Sequence, residues 1–106
     1  MANLNQVMLM GRAYKVKPMV TKNGKPMTFF TLTTYKRIKD QEDKALFHNC
    51  VAYSKLADVI GKYVTDGKEM FIEGELDYYM DDQNIRKTQI VVTGIEFTNA
   101  SKDSDE

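Results

Sequence analysis

An all-β barrel of five short strands, with one helix between the third and the fourth, is the fold class this sequence predicts. Three observations predict it. Apolar and polar residues alternate through several stretches of the 106-residue chain. The period changes once, between Leu56 and Val64, to that of a helix. Turn-forming clusters, Asn23-Gly24 and Asp81-Asp82-Gln83-Asn84, separate strand-like runs.

Taken in order, Gln6 to Met10 is a short apolar run closed by Gly11, which reads as a buried strand ending in a bulge or sharp bend. Asn23-Gly24, between Val20-Thr21 and Met27-Thr28, reads as a hairpin turn, because both residues tolerate positive φ. Met27 to Tyr35 is rich in Phe, Thr and Leu and favours a strand, with Phe30, Leu32 and Thr34 on one face and Phe29, Thr31, Thr33 and Tyr35 on the other. Lys36 to Lys44 is too charged to be buried and reads as an exposed loop. In the third strand, Leu46 to Tyr53, the odd positions are Phe47, Asn49, Val51 and Tyr53, and the even ones Leu46, His48, Cys50 and Ala52. Leu56, Val59, Ile60, Tyr63 and Val64 then form a helical stripe, with Ser54 as its expected N-cap and Thr65-Asp66-Gly67 as its stop. Met70 to Tyr79 alternates as a fourth strand, and Thr88 to Phe97 is the fifth. Strand, strand, strand, helix, strand, strand matches the OB-fold, a five-stranded, partly open Greek-key barrel.

Length allows one domain: residues 1–98 as the barrel, and 99–106 as a short acidic tail expected to be disordered. Hydrophobic residues at 42% and charged residues at 28% support a packed core. No apolar run approaches the ~20 residues that cross a bilayer, and no secretory signal opens the chain. A single cysteine, Cys50, excludes an internal disulfide, and with His48 as the one histidine a Cys/His zinc site is excluded too. These features predict a cytoplasmic setting without membrane contact. The net charge is zero, but residues 1–39 carry eight bases and no acid, whereas all fifteen acids follow. That asymmetry suggests one cationic face; the plain alternative is that folding interleaves the two halves.

The common signs of catalysis are missing. The chain has no GxGxxG, no GxxxxGK[ST] and no GxSxG. His48 and Cys50 share a strand face but lack a third group to orient them as a dyad. Glu73, Glu75 and Asp77 line one strand face, where a solvated exterior is a simpler account than a metal site or a metal-dependent nuclease. No cofactor and no metal is expected.

The remaining pattern suits single-stranded nucleic acid. Unpaired bases offer flat π-faces and their backbone a line of negative charge, so a sequence-tolerant binder needs aromatics on an open sheet beside Lys and Arg. Tyr35, Phe47 and Tyr53 are placed to project from the strand two–three surface, with Asn49 between them. Arg12, Lys15, Lys36, Arg37 and Lys39 flank those strands, and Arg86 and Lys87 follow the last hairpin. The alternative is that the rings are core and the bases serve solubility.

Four blocks carry a family resemblance. Asn5-Gln6-Val7-Met8-Leu9-Met10-Gly11-Arg12, Phe30-Thr31-Leu32-Thr33, Phe47-His48-Asn49-Cys50-Val51-Ala52-Tyr53-Ser54-Lys55-Leu56-Ala57 and Gly67-Lys68-Glu69-Met70-Phe71-Ile72-Glu73-Gly74-Glu75-Leu76 occur in the order and spacing of bacterial and phage single-stranded DNA-binding proteins. The resemblance implies binding of single-stranded DNA without strong sequence preference, in replication, recombination and repair, by homo-oligomers, commonly tetramers, with a dimer as the alternative. Position by position, it implies stacking at Phe47 and Tyr53, a further aromatic at Tyr35 or Ile38, another at Tyr78 or Tyr79, and a subunit-assembly role for His48. Val7 and Leu9 of the opening strand are the companion interface expectation. Replication or recombination proteins are implied as partners. Three features depart from the family pattern: there is no Trp, the last hairpin is acidic at Asp77, Asp81 and Asp82, and the Ser104-Asp105-Glu106 ending has no hydrophobic anchor. A short relative, the primosomal replication protein, keeps the fold but acts as a protein-interaction adaptor, which is the alternative function.

Overall fold

In the computed structural model, which describes residues 2–98, one long strand organises the barrel. β1 (Val7–Val20) pairs with β4 (Lys68–Met80) over its first half and with β2 (Pro26–Lys36) over its second. A strand shared in this way must coil between two neighbours, and that coiling closes the sheet. Closure is completed by β3 (Lys44–Tyr53), antiparallel to β2, and β5 (Arg86–Phe97), antiparallel to β4 and parallel to β3 at Cys50↔Ile90 and Val51↔Val91. The order β1-β2-β3-β5-β4 in a closed barrel, with α1 (Ser54–Tyr63) between β3 and β4, is the OB-fold the element order predicts.

Two glycines make local geometry possible. Gly24 sits at φ +84 in the β1–β2 turn and donates its N–H to the Thr21 carbonyl at 2.9 Å. Gly11 lies where β1 crosses β2, and a Cβ there would collide with the Thr33 carbonyl oxygen. The short first strand expected from the sequence is therefore corrected: β1 runs straight through Gly11, and the glycine marks a close approach of two backbones rather than a strand end. The irregularity comes later, between Tyr14 and Lys17, where Lys15 takes φ +57. Nor is the opening run buried as expected: Val7 and Leu9 pack against the core, but Met8 and Met10 remain 58% and 60% exposed.

The core lies inside the barrel and under α1. Phe30, Leu32, Cys50, Met70, Ile72, Ile90 and Val92 converge from four strands, and Ala57, Ile60 and Val64 close one end. Burying each large apolar side chain is worth about 1.5–3 kcal/mol. The helix is fastened to β2 by the buried Thr28 hydroxyl, which donates to the Ala57 carbonyl at 2.8 Å.

Three helix and strand expectations are corrected. Ser54 is the first helical residue, at φ +57, with Tyr53 in the N-cap position and no side-chain cap bond, because β3 leads directly into the helix. Tyr63 is 59% exposed, so the buried stripe is Ala57, Ile60 and Val64. Thr33 and Val51, placed by alternation on the outer faces of β2 and β3, are buried, because a strongly coiled sheet covers positions that a flat one would expose. The expected acidic tail, residues 99–106, lies outside the described residues.

Candidate nucleic-acid interface

β2 and β3 pair in register from Met27↔Tyr53 to Lys36↔Lys44. That register sets Thr33 beside Phe47, Thr31 beside Asn49 and Phe29 beside Val51. β1 adds Tyr14 opposite Thr31, so Tyr14, Thr31 and Asn49 form one row across three strands. Phe47 and Tyr53, six positions apart on one strand, are separated by roughly 20 Å at the rise of an extended strand. A segment of several nucleotides spans that distance, within the site sizes known for this barrel type.

The surface above this register is a chain of three adjoining recesses of about 540, 270 and 130 Å³, and Asn49 lines all three. The largest is bordered by Tyr14, Tyr35 and Phe47; the second by Phe29, Lys15, Lys17 and Tyr79; the smallest by Phe47, His48 and Gln89. Phe47 is 70% exposed and Tyr35 66%, an unfavourable state for large apolar rings unless something covers them. Tyr53 is exposed too, at 40%, at the far end where helix α1 begins. The rings are therefore not core residues.

The basic residues have different local situations. Lys15 and Lys17 line the groove. Lys36, Arg37 and Lys44 are exposed at the β2–β3 end near Tyr35, where Lys36 and Lys44 pair across the two strands and the connecting loop carries Asp40, Glu42 and Asp43. Arg12 is only half-exposed and donates from Nη1 to the Gly67 carbonyl at 2.8 Å, which ties β1 to the segment between α1 and β4. That bond gives Arg12 a structural role that its sequence position did not suggest.

On the β4–β5 hairpin, Arg86 lies over the Tyr78 ring at 4.5 Å, and the Lys87 ammonium is 4.0 Å from Asp81. Asp81 is chiefly a turn residue: Oδ1 accepts the Gln83 and Ile85 N–H groups, both at 2.9 Å, and these bonds hold its carboxyl below the usual carboxylate range. Tyr79 projects toward the second recess, so the hairpin reaches the groove despite its acids.

His48 shares a hydrogen bond between Nε2 and the Thr34 hydroxyl at 2.9 Å, and burial lowers its pKa. Cys50 is buried, which pushes its thiol up to about 12. Among the described residues, no three His, Cys, Asp or Glu side chains come together to hold a metal, and no helix is long and apolar enough to cross a membrane.

Sequence reasoning missed Tyr14, Lys17, Phe29 and Gln89. Tyr14 and Lys17 received no face because the first strand was ended at Gly11, and the alternation that places them restarts only after the bulge at Lys15.

The model of the single-strand binding protein family matches residues 4–98. The chain belongs to this family. It is 33% identical over 111 residues to single-stranded DNA-binding protein 1 of Chlorobaculum tepidum, covering 95% of this chain and 68% of that protein. It is 33% identical to the mitochondrial single-stranded DNA-binding protein of Rattus norvegicus, over 90% of this chain and 74% of that one. A third relative, the single-stranded DNA-binding protein of Clostridium perfringens, is 28% identical over 92% of this chain and 67% of its own length. Membership in the family agrees with the four sequence blocks and with the closed barrel.

Proposed function

We propose that this protein binds single-stranded DNA without catalysis, coating it in replication, recombination and repair. The observation that carries the reading is the solvent-exposed Phe47 ring beside Tyr35, Tyr14 and Asn49 on a groove edged by Lys15 and Lys17. Bases stack on Phe47, Tyr35, Tyr53 and Tyr79, each stack contributing about 1–3 kcal/mol. Lys15, Lys17, Lys36, Arg37, Arg86 and Lys87 neutralise phosphates, with Arg12 secondary because of its bond to Gly67. Copies assemble through the opening segment of β1, where Val7 and Leu9 pack inward on the core and Met8 and Met10 supply the exposed apolar surface, with His48 as the interface residue contributed by β3.

Titration with labelled poly-dT at several salt concentrations tests the reading. Affinity falls with salt, with a slope of about −0.7 per neutralised phosphate. Absence of both binding and salt dependence overturns it. Light scattering is expected to give a tetramer; a dimer with weak affinity for dT fits the adaptor alternative instead.

A further inference from the structure

The largest recess offers more than a flat stacking platform. Its volume of about 540 Å³ falls in the range of small-molecule pockets, and three rings, Tyr14, Tyr35 and Phe47, border it. Two polar features accompany them. Thr33 lines the recess at 4% exposure, and its hydroxyl is buried with no hydrogen-bond partner. A buried, unpaired hydroxyl is unfavourable and is the kind of group that a bound ligand satisfies. Asp66, also lining the recess, is held in place by the Lys15 backbone, whose N–H donates to Oδ1 at 3.0 Å.

We propose that this recess is a pocket for a single nucleobase with a preference for guanine, read by the Asp66 carboxylate. The inference rests on the single-stranded DNA reading above and adds a base preference to it. A carboxylate accepts hydrogen bonds and donates none, and one bond from Lys15 leaves most of its lone pairs open. Toward phosphate it is repulsive, so in a groove for a polyanion it suits only the edge of a base. Guanine presents two adjacent donors there, N1–H and the N2 amine, and matches a carboxylate with two parallel bonds. Thymine places its one N3–H between two carbonyl oxygens, which the carboxylate repels. Adenine and cytosine each present an amine beside a ring acceptor. The ranking is guanine first and thymine last.

The test compares three 15-mers by competition: all dT, dT with one central dG, and dT with one central deoxyinosine, which lacks the N2 amine. The dG oligomer is expected to bind about fivefold tighter than all dT, within the discrimination of a two-bond contact, with inosine between them. Asp66→Asn keeps an oxygen for the Lys15 N–H but loses the second acceptor and the charge. It is expected to erase the dG advantage while dT affinity holds or rises. Equal affinity for dG and dT oligomers in the unmodified protein, or a dG advantage that survives Asp66→Asn, overturns the proposal. The inosine comparison needs no substitution, so it decides even where the variant is unstable. Failure to bind any of the three oligomers strikes the underlying DNA reading, whereas binding without preference strikes only the pocket.

Discussion

Nε2 of His48 stands 2.9 Å from the Thr34 hydroxyl across the β2–β3 pair, in a setting where burial disfavours the charged imidazole. The folded pKa therefore lies below the ordinary value of 6.5. The unfolded chain takes up a proton first as pH falls, so stability is full above about 6.5 and declines as pH drops through the folded pKa. Thermal melts from pH 8 to pH 5 are expected to show this decline, and His48→Gln to flatten it. An unchanged profile in the variant assigns the pH dependence to other groups.

Phe47→Ala removes a ring that is mostly in solvent, so stability is expected to change by less than about 0.5 kcal/mol. Affinity for dT oligomers is expected to fall by about 1–3 kcal/mol, roughly 5- to 150-fold. Tyr14→Ala is expected to weaken binding in the same direction, since it shares the recess. Fluorescence titration beside a melting curve separates the two effects.

Lys17→Ala is expected to lower the magnitude of the salt slope by about 0.7, the value for one phosphate on a single strand. Arg12→Ala is expected to act chiefly on stability, because its Nη1 holds the Gly67 carbonyl. A slope change for Arg12 as large as that for Lys17 contradicts this division.

Gly11→Ala places a Cβ against the Thr33 carbonyl oxygen, where backbone rather than a flexible side chain must move. A loss of about 1–3 kcal/mol is expected in denaturant unfolding. A neutral result means that the β1–β2 crossing can relax.

Cys50 is buried with its thiol pushed up to about 12, so the folded protein is expected to resist thiol reagents at pH 8. Reaction is expected to become rapid once denaturant unfolds the barrel. Fast labelling of the native protein reports opening of the β3–β5 seam instead.

The order of elements, the Asn23-Gly24 hairpin and the exposed ring at Phe47 were legible from the residues alone. Each is a local property: side-chain period and turn chemistry are set by neighbours in the chain, and a hairpin keeps neighbours in sequence close in space. Other features were decided by tertiary structure. Tyr14 joins Phe47 because β1 passes Gly11, bulges at Lys15 and lies against β2. Thr33 is buried because the sheet coils, and Arg12 is tied down because Gly67, 55 residues later, arrives beside it. Asn49 became the centre of the groove by the same route. These relationships depend on closure of the barrel between distant strands, which no local window of sequence contains.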